Sequence, residues 1–152
     1  MSKACKVLIV EDAVALGETY RVMLMSGEHE VMLATRADEA IAQLESFLPT
    51  VLLIDVNLPD MSGLDILRLV RQRDLPIEVV MMTAQGSVQL AVEAMREGAF
   101  DFIMKPFSPD RLKVTVRNAH ERRRMANTLA EISDTFDRDR FANFIGRSLP
   151  MQ

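Results

Sequence analysis

Five short apolar runs recur along the chain, at residues 7–10, 31–34, 51–54, 79–82 and 102–104. They are continuous rather than alternating, which is the pattern of strands buried on both faces. Between them, apolar residues recur at helical spacing: Leu16, Tyr20, Met23 and Leu24; Ala40, Ile41 and Leu44; Leu64, Leu67 and Val70; Leu90, Ala91, Ala94 and Met95. Strands alternating with helices form βα units, whose right-handed crossovers lay the strands parallel and cover both faces with helices. The pattern therefore predicts a doubly wound α/β fold around a five-stranded parallel sheet.

Punctuation agrees. Gly63 and Gly98 lie beside helix ends, Pro49 and Pro76 precede strands, and Ser108-Pro109 supplies an N-cap followed by proline in the first turn. The fifth helix thus begins near Pro109, with Leu112, Val116 and Ala119 facing the sheet, and sequence free of Gly and Pro runs on to about Phe141. Met125, Leu129, Ile132 and Phe136 extend the apolar spacing, as the seam of a short coiled coil or as an amphipathic tail. Arg122-Arg123-Arg124 reads as a solvated face rather than a nucleic-acid patch.

Composition narrows the class. A chain of 152 residues, 49% hydrophobic and 26% charged, suits one soluble globular domain. The net charge of −4, with the acidic excess before residue 120, disfavours a nucleic-acid-coating protein. Cys5 is the single cysteine, so no internal disulfide forms, a reducing compartment is expected, and no Cys/His cluster suggests zinc. The apolar runs fall far short of the roughly 18 residues of a membrane span. The first run stops at Glu11 and Asp12 before a signal-peptide core can form. A cytoplasmic protein without a membrane partner is expected.

In doubly wound sheets, ligands bind outside the carboxyl ends of the strands. Those ends here are Glu11-Asp12 after the first run, Asp55 after the third, Thr83 after the fourth and Lys105-Pro106 after the fifth. Three carboxylates at one rim repel one another, so a divalent counter-ion is expected, and all-oxygen ligands suit Mg2+. Such an ion is usually completed by phosphate oxygens. Lys105 would offset phosphoryl charge and Thr83 could donate a hydrogen bond to it. No Ser/His or Cys/His pair is available, since His29 falls in a helix-to-strand turn and His120 in the late helix. Asp55 is then the best placed nucleophile, with an aspartyl phosphate as product.

These pieces resemble the receiver domain of two-component response regulators. The matching stretches are residues 7–12 (Val-Leu-Ile-Val-Glu-Asp), 55–63 (Asp-Val-Asn-Leu-Pro-Asp-Met-Ser-Gly), 82–84 (Met-Thr-Ala) and 102–106 (Phe-Ile-Met-Lys-Pro), within a resemblance covering about residues 4–120. It implies a flavodoxin-like sheet of order 2-1-3-4-5. It also implies that Asp55 accepts the phosphoryl group, that Glu11 and Asp12 hold Mg2+ with the Asn57 backbone carbonyl, and that Lys105 and Thr83 contact the phosphoryl oxygens. Phe102 takes the position of the switch aromatic, which turns inward as Thr83 moves; its plainer reading is a packed ring. Asn57 and Gln85 occupy the positions that tune attack of water on the aspartyl phosphate, and Lys105-Pro106 matches the family's cis peptide. Such a domain catalyses its own phosphorylation and dephosphorylation and is not otherwise an enzyme.

Residues 144–152 (Phe-Ile-Gly-Arg-Ser-Leu-Pro-Met-Gln) are similar to the opening of the AAA+ ATPase domain of sigma-54-dependent transcriptional activators of the nitrogen-regulatory type. No G-x-x-x-x-G-K-[ST] loop is present to cradle ATP. The expected organisation is a receiver domain over 1–120, a helical linker over 121–143 that could dimerise as a coiled coil, and the start of a truncated ATPase domain over 144–152. The resemblance implies a sensor histidine kinase and a second copy of the chain, joined through the C-terminal helix and linker, as partners. Sigma-54 RNA polymerase and DNA would be reached only through domains outside this chain. Glu18, Tyr20 and other residues of the first helix, read as exposed, either help dock the kinase or are solvated surface. Three alternatives stand beside this reading: a stand-alone receiver acting by protein contact, a flavin-binding domain, and a haloacid-dehalogenase-type phosphatase. Glu11-Asp12 would repel a flavin phosphate. The phosphatase needs Asp-x-Asp after the first strand, where this chain has Glu11-Asp12-Ala13.

Overall fold

The computed structural model describes residues 5–25, 27, 29–84 and 88–143, with side chains through residue 127. Five strands alternate with five helices: β1 (Cys5–Val10), α1 (Val14–Leu24), β2 (His29–Ala34), α2 (Ala37–Ser46), β3 (Val51–Asp55), α3 (Gly63–Gln72), β4 (Glu78–Thr83), α4 (Val88–Arg96), β5 (Asp101–Met104) and α5 (Pro109–Asn143). All neighbouring strands pair in parallel, in the order β2-β1-β3-β4-β5. This is the expected doubly wound, flavodoxin-like sheet with a long C-terminal helix. At about 1.5 Å rise per residue, the 35 residues of α5 extend roughly 50 Å. Among the described residues no helix is long and apolar enough to cross a membrane.

The continuous apolar runs arise because both sheet faces are covered. Alternate residues of one strand serve different cores: Leu8, Val10, Leu52, Ile54, Val79 and Met81 pack with α2, α3 and the inner side of α4. Val7, Ile9, Val51, Leu53, Val80 and Met82 pack with Tyr20 and Leu24 of α1 and with Leu112, Val116 and Ala119 of α5. Each fully buried Leu or Ile contributes on the order of 2 kcal/mol of transfer free energy, and these side chains are shared between the central strands (Leu8, Ile9, Leu52, Leu53, Ile54) and the helices that cover them (Leu24, Leu44, Ile66, Leu67, Leu112). The edge strands β2 and β5 remain half-buried.

Several placements differ from the sequence expectation. His29 opens β2 instead of lying in a turn, because it pairs with Cys5 at the start of the ladder. Leu16 and Met95, read as inward-facing, are 42% and 44% exposed. In α1 the inward position belongs to Gly17, which packs beside Glu11 and Leu33, and this turns Leu16 outward. Tyr20, set both in the apolar stripe of α1 and among that helix's exposed residues, is 5% exposed and belongs to the stripe. Arg123 is also drawn inward, with its side chain 17% exposed beside Glu78, so the arginine triplet is not uniformly solvated. Met125 is exposed, and the seam positions Leu129, Ile132 and Phe136 lie outside the described side chains.

The base of β1 yields a prediction. Cys5 is 4% exposed, and burial pushes its thiol up from 9.0 to about 11, against a lowering contact from Thr50 and with Glu121 adding to the rise. Near pH 8 the native thiolate population falls about a hundredfold below that of the unfolded chain. A thiol reagent is therefore expected to label the native protein at least about a hundredfold more slowly than the urea-unfolded chain. Equal rates would contradict this packing. Because the folded value is the higher one, this thiol's contribution to stability is present below pH 9 and fades as the pH rises toward 11.

Candidate functional site

The carboxyl ends of β1, β3, β4 and β5 bring Glu11, Asp12, Asp55, Thr83 and Lys105 to one rim, as parallel strands ending on the same side must. Carboxylate oxygens of Glu11, Asp12 and Asp55 lie within 4.8 Å of one another. Glu11 is 3% and Asp55 6% exposed, whereas Asp12 is exposed. Lys105 crosses the rim and bridges the two buried acids, its Nζ donating to Glu11 Oε1 at 2.6 Å and to Asp55 Oδ2 at 2.5 Å.

Local hydrogen bonds orient the acids. The backbone N–H of Asn57 donates to Asp55 Oδ1 at 2.8 Å, and that of Ala13 to Glu11 Oε2 at 3.1 Å. The chain leaving β3 turns back tightly: Asn57 and Ser62 form an isolated antiparallel bridge, and the Gly63 N–H donates to Val56 O at 2.7 Å. A Cβ at Gly63 would lie 3.1 Å from the Asp55 carbonyl carbon and nearer still to its oxygen, so only glycine allows α3 to start this close to the acidic strand end. Asp60, in the same segment, belongs to a different structure. Its carboxylate accepts the Ala37 and Asp38 N–H groups at the start of α2, and these bonds hold it below the usual carboxylate range.

The electrostatics report excess negative charge. Burial pushes the Glu11 carboxyl up, Asp55 adds to the rise, and the hydrogen bonds from Lys105 and Ala13 only partly oppose it. Burial alone would lower Lys105, but its hydrogen bonds to Asp55 and Glu11 and their charges prevail and hold the ammonium above its ordinary range. Both shifts retain protons where three carboxylates face one lysine. Oxygen-only donors, mutual repulsion and an exposed Asp12 opening to solvent fit a hard divalent cation such as Mg2+.

The remaining expected residues are placed as follows. Thr83 is 2% exposed, and its hydroxyl donates to Ala84 O at 3.2 Å. Phe102 is half-buried against the core beneath α2, α3 and α4. The Lys105-Pro106 peptide bond is cis. Gln85 lies outside the described residues. The Tyr20 and Phe107 rings pack at 4.9 Å, close enough to the rim for Lys105, Glu11 and Asp55 to act on the phenol, and Phe107 is a site neighbour that no motif signals. Burial pushes the Tyr20 phenol up, with Lys105 opposing and Glu11 and Asp55 adding to the rise. The inward helical spacing of Tyr20 with Leu24 was the available signal.

Fold and rim define a signalling receiver, and residues 7–117 match the family model of the response regulator receiver domain. The chain belongs to that family. It is 38% identical over 144 residues to the regulatory protein LuxO of Vibrio vulnificus, covering 95% of this chain and 31% of that protein. It is 43% identical over 104 residues to the response regulator protein FleR of Pseudomonas aeruginosa, covering 68% of this chain and 22% of that protein. The chain thus spans about a third or less of the length of these relatives. Among solved structures, the receiver domain of a LuxO repressor protein from Vibrio parahaemolyticus superposes with a TM-score of 0.80 at 35% identity, covering 84% of this chain and 98% of that one. NtrX from Brucella abortus superposes with a TM-score of 0.80 at 28% identity, covering 96% of this chain and 31% of that one.

Proposed function

We propose that this chain is a phosphorylation-dependent switch in which Asp55 accepts a phosphoryl group from a sensor histidine kinase. The observation that carries the reading is the Lys105 ammonium held between Glu11 and Asp55 beside a third carboxylate. Asp55, fixed by the Asn57 N–H, presents an anionic oxygen, which bonds to phosphorus as the bond from phosphorus to the donor's imidazole nitrogen breaks. Lys105 then has a phosphoryl oxygen to neutralise in place of the carboxylate oxygen. Thr83 turns its hydroxyl from Ala84 O toward the new group, and Phe102 follows inward as the readout. Glu11, Asp12, Asp55 and the Asn57 carbonyl would hold Mg2+, which supplies charge neutralisation for the acids and the incoming phosphoryl group. Asn57 and Gln85 set the rate at which water removes the group.

The output is control of an attached sigma-54-dependent activator ATPase, in the cytoplasm, by a homodimer joined through α5 and the linker. Two features support this. Similarity to LuxO covers 144 residues, well past residue 117 where the receiver match ends, and the sequence of 144–152 resembles the start of the ATPase domain.

The test is intact mass after incubation with a small-molecule phosphodonor, with Mg2+ or with EDTA. One phosphoryl increment that requires the metal is expected. Its absence from folded protein, both with fresh donor and with a purified phosphorylated histidine kinase, overturns the reading.

A further inference from the structure

At the end of the sheet opposite the acidic rim, a polar cavity of about 610 Å³ opens between the turn after α3, the turn after α4 and the part of α5 that runs past the sheet. Its charged and aromatic lining is Arg71, Asp74, Glu78, Phe100, Arg122 and Arg123. Arg123 continues the inward stripe of Leu112, Val116 and Ala119, where another apolar residue would have extended the core. Its Nη1 stands 3.7 Å from Glu78 Oε2, too far for a hydrogen bond, and its Nε is buried with no hydrogen-bond partner among the described residues. That Nε is closed to solvent, so an acceptor in the cavity would have to be taken by the rest of the guanidinium, which makes no hydrogen bond to a described residue, and unspent donors on a largely buried guanidinium are costly in free energy.

The neighbours reinforce this. The Arg122 guanidinium lies over the Phe100 ring, 5.8 Å from its centroid, and donates no hydrogen bond to a described residue. Arg71 donates one N–H to Ile77 O at 3.0 Å and packs beside Gly98. At Gly98 φ is +105°, and a Cβ would stand 3.1 Å from Arg71 Cδ and 3.2 Å from its Nε, so glycine makes room for the third guanidinium. Three arginines thus meet two carboxylates in a concave site, on a body that is otherwise acidic in excess. Planar guanidinium forks with free donors, one laid on an aromatic ring, are the chemistry that recognises phosphate oxygens. The three guanidinium groups are gathered around one concavity rather than laid out as a stripe of cations, which favours a small molecule over an extended polyanion.

We propose that this cavity binds a small phosphorylated molecule, with its phosphoryl oxygens held by Arg122 and Arg123 and flanked by Arg71. The site is independent of Asp55. Because Arg122 and Arg123 belong to α5 while Phe100 and Arg71 belong to the body, occupancy ties the outgoing helix to the turns after α3 and α4.

The test is a two-dimensional NMR titration of the full chain, free of divalent metal and at constant ionic strength, with pyrophosphate and separately with adenosine monophosphate. Saturable shifts are expected in the Arg122 and Arg123 Nε–H signals and the Gly98 and Phe100 amides, with Kd at or below about 1 mM. They should persist in Asp55→Asn. Arg122→Gln changes an exposed residue, and Arg123→Lys keeps the charge facing Glu78, so both variants should fold; each is expected to weaken binding about tenfold. Tighter binding of the nucleotide identifies an organic phosphate ester, and equal binding of pyrophosphate identifies the inorganic anion; either supports the proposal. Unsaturable shifts spread over all basic residues overturn it. Saturation only by an acidic peptide such as polyglutamate also overturns it and assigns the face to a protein partner.

Discussion

Asp55→Asn is expected to abolish phosphoryl incorporation completely while leaving the fold intact. The amide keeps the shape of the side chain and can still accept the Asn57 N–H, yet it lacks the anionic oxygen that attacks phosphorus. It also removes one of the three carboxylates whose oxygens lie within 4.8 Å of one another. Changes in the outer shell of metal sites cost about 10–100-fold in affinity, and loss of a direct ligand costs at least as much. Two measurements follow on the same samples: intact mass after phosphodonor treatment, and the rise in Tm with Mg2+, which reports affinity for the folded state. The wild type should gain one phosphoryl increment and a Mg2+-dependent rise in Tm; the variant should gain neither. A surviving increment would move the acceptor to another carboxylate of the rim, and an undiminished Mg2+ effect would remove Asp55 from the metal site.

Lys105→Met is expected to be the largest single loss of stability among the rim residues. The lysine is 20% exposed and the acids it bridges are 2% and 9% exposed in their side chains, so the methionine variant leaves two buried carboxylates facing each other and Asp12 without their ammonium. Removing one partner of a buried pair costs about 3–5 kcal/mol, a large share of the roughly 5–15 kcal/mol that holds a domain folded. Urea unfolding at neutral pH in EDTA should show this loss, and Mg2+ should restore part of it by supplying counter-charge.

The pH dependence has a definite sign. Glu11 titrates above its ordinary 4.5 in the folded protein, so its contribution to stability is fully present below that value and is lost as the pH rises through the folded value. Without Lys105, whose hydrogen bond lowers the Glu11 value, the rise is larger and the loss continues to higher pH. The gap between wild type and variant should therefore be smallest in acid and widen toward neutrality. A gap independent of pH would mean that the methionine acts through packing rather than charge.

The periodic and local features of this protein are legible in the chain before it folds. Continuous apolar runs are required wherever a strand is covered on both faces, so β1, β3 and β4 are written plainly, and the acids, hydroxyl and lysine at the strand ends follow from position alone. The edge strand β2 was legible only in its apolar part, because His29 and Glu30 join it through pairing with β1 rather than through burial. Which side chains meet depends on packing between segments far apart in the chain. Lys105 reaches Glu11 across 94 residues and Asp55 across 50, distances at which no helical or strand period carries information. Similarly, the outward turn of Leu16, the inward position of Tyr20, and Arg123 beside Glu78 depend on how each helix is rotated against the sheet. That rotation is set by the packing of Gly17, Leu24, Leu112, Val116 and Ala119 against residues distant in the chain, a property of the assembled core rather than of any segment read alone.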